Sequence, residues 1–345
     1  MTIIYFILIL GVTVLVHEAG HFIFAKIFKV HVYEFSIGMG KKLFSFNRKN
    51  DETTYSIRLL PVGGYVKLAG EEIDDDENIP KDKKLIYKKP WQRFLIFVFG
   101  AVNNFIFAFI LLILIGLMFG SSTTKPIMAN IQEDYPSYKV GLRDGDTITN
   151  INGQKVKTFE DVKLIFSLDA GATFNLEAID INGNKKEMTI VPEVIKKGEN
   201  TLYKYGISKD ETKKYGIINS LKYAVEEGYS VLRSMFKILG GLFTGGVSVS
   251  NLSGPVGIYT AVDISSQSGL YGILHLIVLI GINVGVLNLL PIPAFDGGRI
   301  FFLLIEKIKG SRINPKTENI IHSVFFILLM GLMIYITIFD VLRLF

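Results

Sequence analysis

From Thr2 to Phe28 the chain carries no charged side chain before Glu18, and the run closes on Lys26 and Lys29. An apolar stretch of this length exceeds the roughly 20 residues that carry a helix across a bilayer. It is too long for the apolar core of an export signal, has no basic region ahead of it and no small-residue cleavage site behind it, so it reads as a retained span. Comparable runs follow at Phe94–Met118, broken only by Asn103 and Asn104, at Tyr271–Ile292 and at Ile320–Ile338. With 49% hydrophobic residues gathered into these runs, the chain reads as a multi-pass α-helical membrane protein of four spans.

The formal charge of +5 has a use other than nucleic acid, which would require a basic surface on a soluble module. Arg299, Lys307, Lys309, Arg312 and Lys316 face only Glu306 and Glu318 in the stretch between spans three and four, which the positive-inside rule places in the cytoplasm. Alternation then puts both chain ends and the long stretch from about residue 120 to 270 outside, and the loop after span one inside. The chain has no cysteine, so no disulfide supports the outer region.

Between spans one and two, VHVYEFSIGMG and TTYSIRLLPVGGYVKLAG alternate β-branched and aromatic residues between glycines, which predicts short strands or hairpins near the membrane. The acidic run Glu71–Glu77 reads as solvated loop, and Trp91 and Arg93 as an interfacial anchor. In the outer region, turns are expected at Asp144-Gly145, Asn152-Gly153 and Asn182-Gly183. A strand is expected at Thr147–Ile151 and a helix with Phe159, Val162 and Phe166 on one face. Leu221, Val225, Tyr229, Leu232 and Phe236 recur at helical spacing, which predicts an amphipathic helix on the membrane or against the spans. The later glycine-rich segments lack the lysine and hydroxyl residue of a phosphate loop, which argues against nucleotide binding.

His17, Glu18 and His21 form an HExxH pattern inside span one. On a helix both imidazoles share one face, with the carboxylate beside them, which is the arrangement of a zinc metallopeptidase. Packing or a proton relay is the competing reading, but ionisable groups within a span are costly and mark function. Zinc needs a third protein ligand, and Asp296, after the proline-broken segment NVGVLNLLPIPAFDGGR, is the best candidate. Spans one and three run in the same direction, so all three residues fall toward the cytoplasmic side.

The chain resembles the site-2 protease family of intramembrane zinc metalloproteases, in its bacterial Gram-positive branch with one PDZ domain. His17, Glu18 and His21 match the family's zinc helix, and Asp296 matches its third ligand, with Phe295 where leucine is usual. PVGGYVKLAGE resembles the membrane-associated β-hairpin that receives substrate, which implicates Gly63, Gly64, Tyr65, Val66 and Lys67. GAVNNF resembles a motif whose asparagine, Asn104 here, contacts substrate; Ala101 stands where proline is usual. GPVGIY resembles the stretch ahead of span three, and Gly141–Val156 resembles a PDZ module.

The resemblance implies a four-span core holding one Zn2+, a membrane-associated hairpin and an inserted extracytoplasmic PDZ domain of α+β type. The expected divisions are span one at 1–30, hairpin loop at 31–92, span two at 93–119 and PDZ-like domain at 120–200. An amphipathic linker at 201–269, span three with the aspartate at 270–299, a cytoplasmic loop at 300–318 and span four at 319–342 complete them. It implies Glu18 as general base in hydrolysis of single-span proteins of the bacterial cell membrane, such as trimmed anti-sigma factors or remnant signal peptides. A proton-coupled transporter and a noncatalytic PDZ-bearing scaffold are the alternatives.

Overall fold

The computed structural model describes residues 1–49, 51–71, 78–197, 200–249 and 252–342. Residues 72–77 of the acidic run read as loop therefore lie outside the described residues. Two compact units emerge, one of residues 1–111 with 252–345 and one of 112–251.

The first unit begins with α1 (Thr2–Ile27), β1 (Val32–Asn47) and β2 (Thr54–Leu68). The helix α2 (Pro90–Phe119) starts in this unit and ends in the second. β1 and β2 pair antiparallel with several register shifts. The segment Glu34–Ile37 has partners both in Gly64–Lys67 and in Thr54–Ile57. The hairpin thus doubles back on itself and leaves Gly64–Leu68 paired to β1 alone.

The second unit holds α3 (Pro136–Lys139), β3 (Thr147–Ile151), β4 (Gln154–Lys155), α4 (Phe159–Leu168), β5 (Phe174–Ile179) and β6 (Lys185–Ile190). A hairpin of β7 (Glu193–Lys197) and β8 (Asn200–Lys204) follows, then α5 (Ile217–Thr244). One sheet has the order β4-β3-β5-β6, and its core gathers Leu142, Ile148, Ile151, Phe174, Leu176 and Tyr205 among others. Thr158 and Asp161 form a reciprocal capping box at the start of α4. Buried Asp161 also pairs with Arg233 at 3.0 Å and Lys237 at 2.5 Å, tying α4 to α5. The side chains that predicted an amphipathic α5, Leu221, Val225, Tyr229 and Phe236, are exposed.

The first unit resumes with α6 (Pro255–Gln267), α7 (Gly269–Leu289), α8 (Asp296–Lys309) and α9 (Pro315–Leu342). Among the described residues, four helices are long and apolar enough to cross a membrane: Thr2–Ile27, Pro90–Phe119, Gly269–Leu289 and Lys316–Leu342.

Two expectations change. Residues 300–318, expected as loop, are helical up to Lys309, because the segment from Asp296 has a one-sided pattern that buries Gly297, Gly298, Phe302 and Leu303. Span three stops at Leu289, ahead of Pro291 and Pro293, so Asp296 opens a new helix rather than closing the old one.

GPVGIY acquires a physical role. Asp340 of α9 is 4% exposed and accepts the backbone N–H groups of Gly254 and Gly257 at 2.8 Å each. It thereby satisfies two of the donors that a helix start leaves open. Asp340→Ala is expected to lower the unfolding midpoint of detergent-solubilised protein, with a cost of about 1–3 kcal/mol for stranding buried donors. Asp340→Asn, which keeps an acceptor, loses less in the same thermal scan.

Candidate metal centre

His17 and His21 lie on α1 at helical spacing, 7% and 9% exposed. Both Nε2 atoms reach one oxygen of Asp296: His17 at 3.0 Å and His21 at 3.2 Å from Oδ2, with 3.2 Å between the two nitrogens. Among the described residues, these three form the one group able to hold a metal ion. Ligands about 2.0–2.1 Å from a tetrahedral zinc stand about 3.3 Å apart, so the observed triangle fits that ion.

The donor chemistry agrees. His21 Nδ1 faces the Ile96 carbonyl at 2.8 Å. A carbonyl only accepts, so Nδ1 carries the ring proton and a neutral His21 presents a bare lone pair at Nε2. Asp296 Oδ2 is buried and accepts no well-aligned hydrogen bond despite its two close nitrogens. Converging lone pairs without a proton between them are what a cation resolves.

Backbone proximity builds this site. A Cβ on Gly20 would stand 2.1 Å from the Phe99 carbonyl oxygen, so α1 and α2 approach almost backbone to backbone there. The backbone that Gly20 meets is the Phe99–Gly100 stretch. A Cβ on Gly100 would overlap His21 Nε2 at 2.3 Å and approach His17 Cε1 at 3.0 Å. Asn103 donates to the Val16 carbonyl at 2.5 Å beside the same contact. α2 passes Ala101 without a break, and that residue is fully buried.

The aspartate is delivered by close packing as well. Added Cβ atoms on Gly297 and Gly298 would meet the Leu290 carbonyl oxygen at 2.1 Å and Pro293 Cα at 2.4 Å. The proline-broken turn folds directly over the start of α8, and only hydrogen fits at both positions.

Glu18, Tyr65, Asn288, Arg299 and His322 join the three residues around a cavity of about 300 Å³. Gly64 lies in the segment of β2 that passes Glu18, since its added Cβ would be 3.6 Å from Glu18 Cγ. Val66 also lines the cavity, and Ile37 and Ser36 of β1 oppose Gly64 and Tyr65. Gly63 has φ +87°, in the left-handed region, ahead of this segment, and Lys67 lies opposite Glu34. Asn104, in contrast, is 1% exposed and faces His17 Nδ1 at 3.5 Å.

Tyr65 also donates to Glu34 Oε2 at 2.9 Å. Burial works to raise the Glu34 carboxyl, but hydrogen bonds from Ser56, Arg58 and Tyr65 prevail and hold it at about 2.

Sequence reasoning missed Arg299, Glu71 and His322. Arg299 pairs with Glu71 and lines both this cavity and an adjoining one of about 800 Å³ that also contains Arg93 and Glu306. Arg299 follows Asp296 by three residues, so reading residues 300–318 as helix would have put both on one face. His322 lines the cavity. His31 and His275 do not reach it: His31 pairs with Glu52 and His275 stacks on Tyr271.

The model of peptidase family M50 matches residues 5–332. The zinc metalloprotease RasP of Bacillus licheniformis is 31% identical, with 100% of this chain and 99% of that protein covered. The zinc metalloprotease RasP of Shouchella clausii is 32% identical over the same shares. The regulator of sigma-W protease RasP of Bacillus subtilis is 29% identical, again with 100% and 99% covered.

Gly100→Ala is expected to push the His21 ring aside and lower the zinc content of purified protein at least 10-fold while α-helical circular dichroism is retained. Full zinc occupancy in that variant would refute the proposed role of the α1–α2 contact in shaping the site.

Proposed function

This chain belongs to peptidase family M50, and on that premise we propose that His17, His21 and Asp296 hold its zinc while Glu18 acts as general base on a substrate in the membrane. It is a multi-pass membrane zinc metalloprotease. The observation that carries the site assignment is the convergence of His17 and His21 with Asp296, which is distant in sequence, in one cavity with Glu18.

Zinc bound there would polarise the scissile carbonyl and bring the pKa of a bound water toward neutrality. Glu18, beside that position, would accept a proton from the attacking water and pass it to the leaving amine. A helical substrate conceals its amides in its own hydrogen bonds, so the segment cleaved must unwind. The Gly63–Lys67 stretch receives it by strand addition, which satisfies the exposed backbone in a setting without water. Gly64 favours close approach, because no side chain stands between that strand and Glu18.

The substrates are single-span membrane proteins already trimmed by another protease, such as anti-sigma factors, or remnant signal peptides. The relative called regulator of sigma-W protease supports this class. The cation excess of residues 299–316 supports an orientation with the site toward the cytoplasm and both termini outside. The sheet and helix within residues 120–200 act outside as a PDZ domain that filters substrates by the bulk they carry. The exposed apolar stripe of α5 rests on the bilayer surface. The transporter and scaffold readings have no observation in their favour.

Glu18→Gln should leave zinc content unchanged and lower cleavage of a transmembrane peptide by about 10²–10⁴-fold, the usual reach of general-base catalysis. Equal product from both proteins would reject Glu18 as the base. The filter has its own test, because Ser121 and Lys214 are hydrogen-bonded neighbours and a short linker can replace what lies between them. The shortened protein is expected to cleave full-length and trimmed substrates at similar rates. If it still prefers the trimmed one as strongly as the intact protein does, the filter lies elsewhere.

A further inference from the structure

We propose that Asn104 is a positioning residue that sets the tautomer of His17 and thereby the affinity of the site for its metal. The proposal rests on the reading of His17, His21 and Asp296 as zinc ligands and extends it to the group behind the first histidine.

A neutral imidazole that ligates through Nε2 must carry its proton on Nδ1, and a buried N–H needs an acceptor. For His21 that acceptor is the Ile96 carbonyl at 2.8 Å. The group facing His17 Nδ1 is the Asn104 amide at 3.5 Å. Both facing groups come from α2, and they lie four residues either side of Gly100, the residue whose missing side chain makes room for the two rings. Ile96, Gly100 and Asn104 thus form one stripe, in which the middle position supplies space and the outer two supply acceptors.

The amide shows what it lacks. Asn104 Oδ1 is buried and without a hydrogen-bond partner, while its Nδ2 faces the ring nitrogen. Two N–H groups cannot satisfy each other. A half-turn of the amide exchanges its oxygen and nitrogen without moving the backbone, and places the unpaired acceptor opposite the Nδ1–H that metal ligation demands. Accessibility also disfavours substrate contact. Asn104 is 1% exposed and does not line the cavity that holds Glu18, whereas Tyr65 and Val66 do.

The test uses full-length protein in detergent, zinc affinity by chelator competition and the visible spectrum of the cobalt(II)-loaded form. Asn104→Asp keeps an acceptor and is expected to bind zinc within a few-fold of wild type. Asn104→Leu removes it and is expected to bind 10–100-fold more weakly, with altered cobalt bands. Excess zinc is expected to restore part of its lost cleavage. If Asn104→Leu matches wild type in zinc affinity and cobalt spectrum, the proposal fails. A raised KM would then assign Asn104 to substrate, and a lowered unfolding midpoint alone would assign it to helix packing. Asn104→Ala answers the same question if the leucine variant does not fold. Failure of the metal-site reading looks different: wild type would bind no zinc, or Asp296→Ala would bind it as tightly as wild type.

Discussion

Two imidazole nitrogens and a carboxylate oxygen stand 3.0–3.2 Å from one another in the first unit of this protein. Lone pairs at that distance repel, and burial removes the water that would otherwise screen them. The surrounding helices hold the three atoms together, as the proposed zinc site requires. Much of the first unit can be understood from that requirement. α1 supplies the nitrogens, α2 lies close enough to support them from behind, and the proline-broken turn delivers the oxygen at the start of α8.

Close backbone approach is the means. Between apolar helices in lipid there is little hydrophobic gain, so packing and small residues determine how near they come. Gly20, Gly100, Gly297 and Gly298 each occupy a position where an added carbon would fall 2.1–2.4 Å from another atom. Larger residues at these points would open the site by roughly the width of a methyl group, more than a coordination geometry tolerates. The strand passing Glu18 follows the same pattern, with Gly64 at the point nearest the carboxylate.

Much of the second unit was legible because its signals are local. The strand Thr147–Ile151 has the bounds read from its alternation, and Asn152 and Gly153 adopt the positive φ angles that their dipeptide predicts. Phe159 and Val162 are buried on α4 as their spacing requires. The span positions were likewise readable, since apolar length is a local property. The extent of α8 was not, because its apolar spacing is short and lies among cations that read as a charged loop. Arg299 was lost with it. Asn104 was visible as a polar group in an expensive place, but its neighbour on α1 is far away in sequence.

The sequence by itself determined the number and nature of the spans, the HExxH face of the first, and the aspartate as the candidate to complete it. Each follows from periodicity, length or residue chemistry within a short window. Only the tertiary structure decided which atoms meet: that His21 leans on the Ile96 carbonyl, that Asn104 lies behind His17 and that Arg299 pairs with Glu71 at the cavity. It also decided that Asp340 holds the start of α6. Those contacts join residues from separate helices, and their distances depend on how closely glycine lets two backbones approach, which no single segment can express.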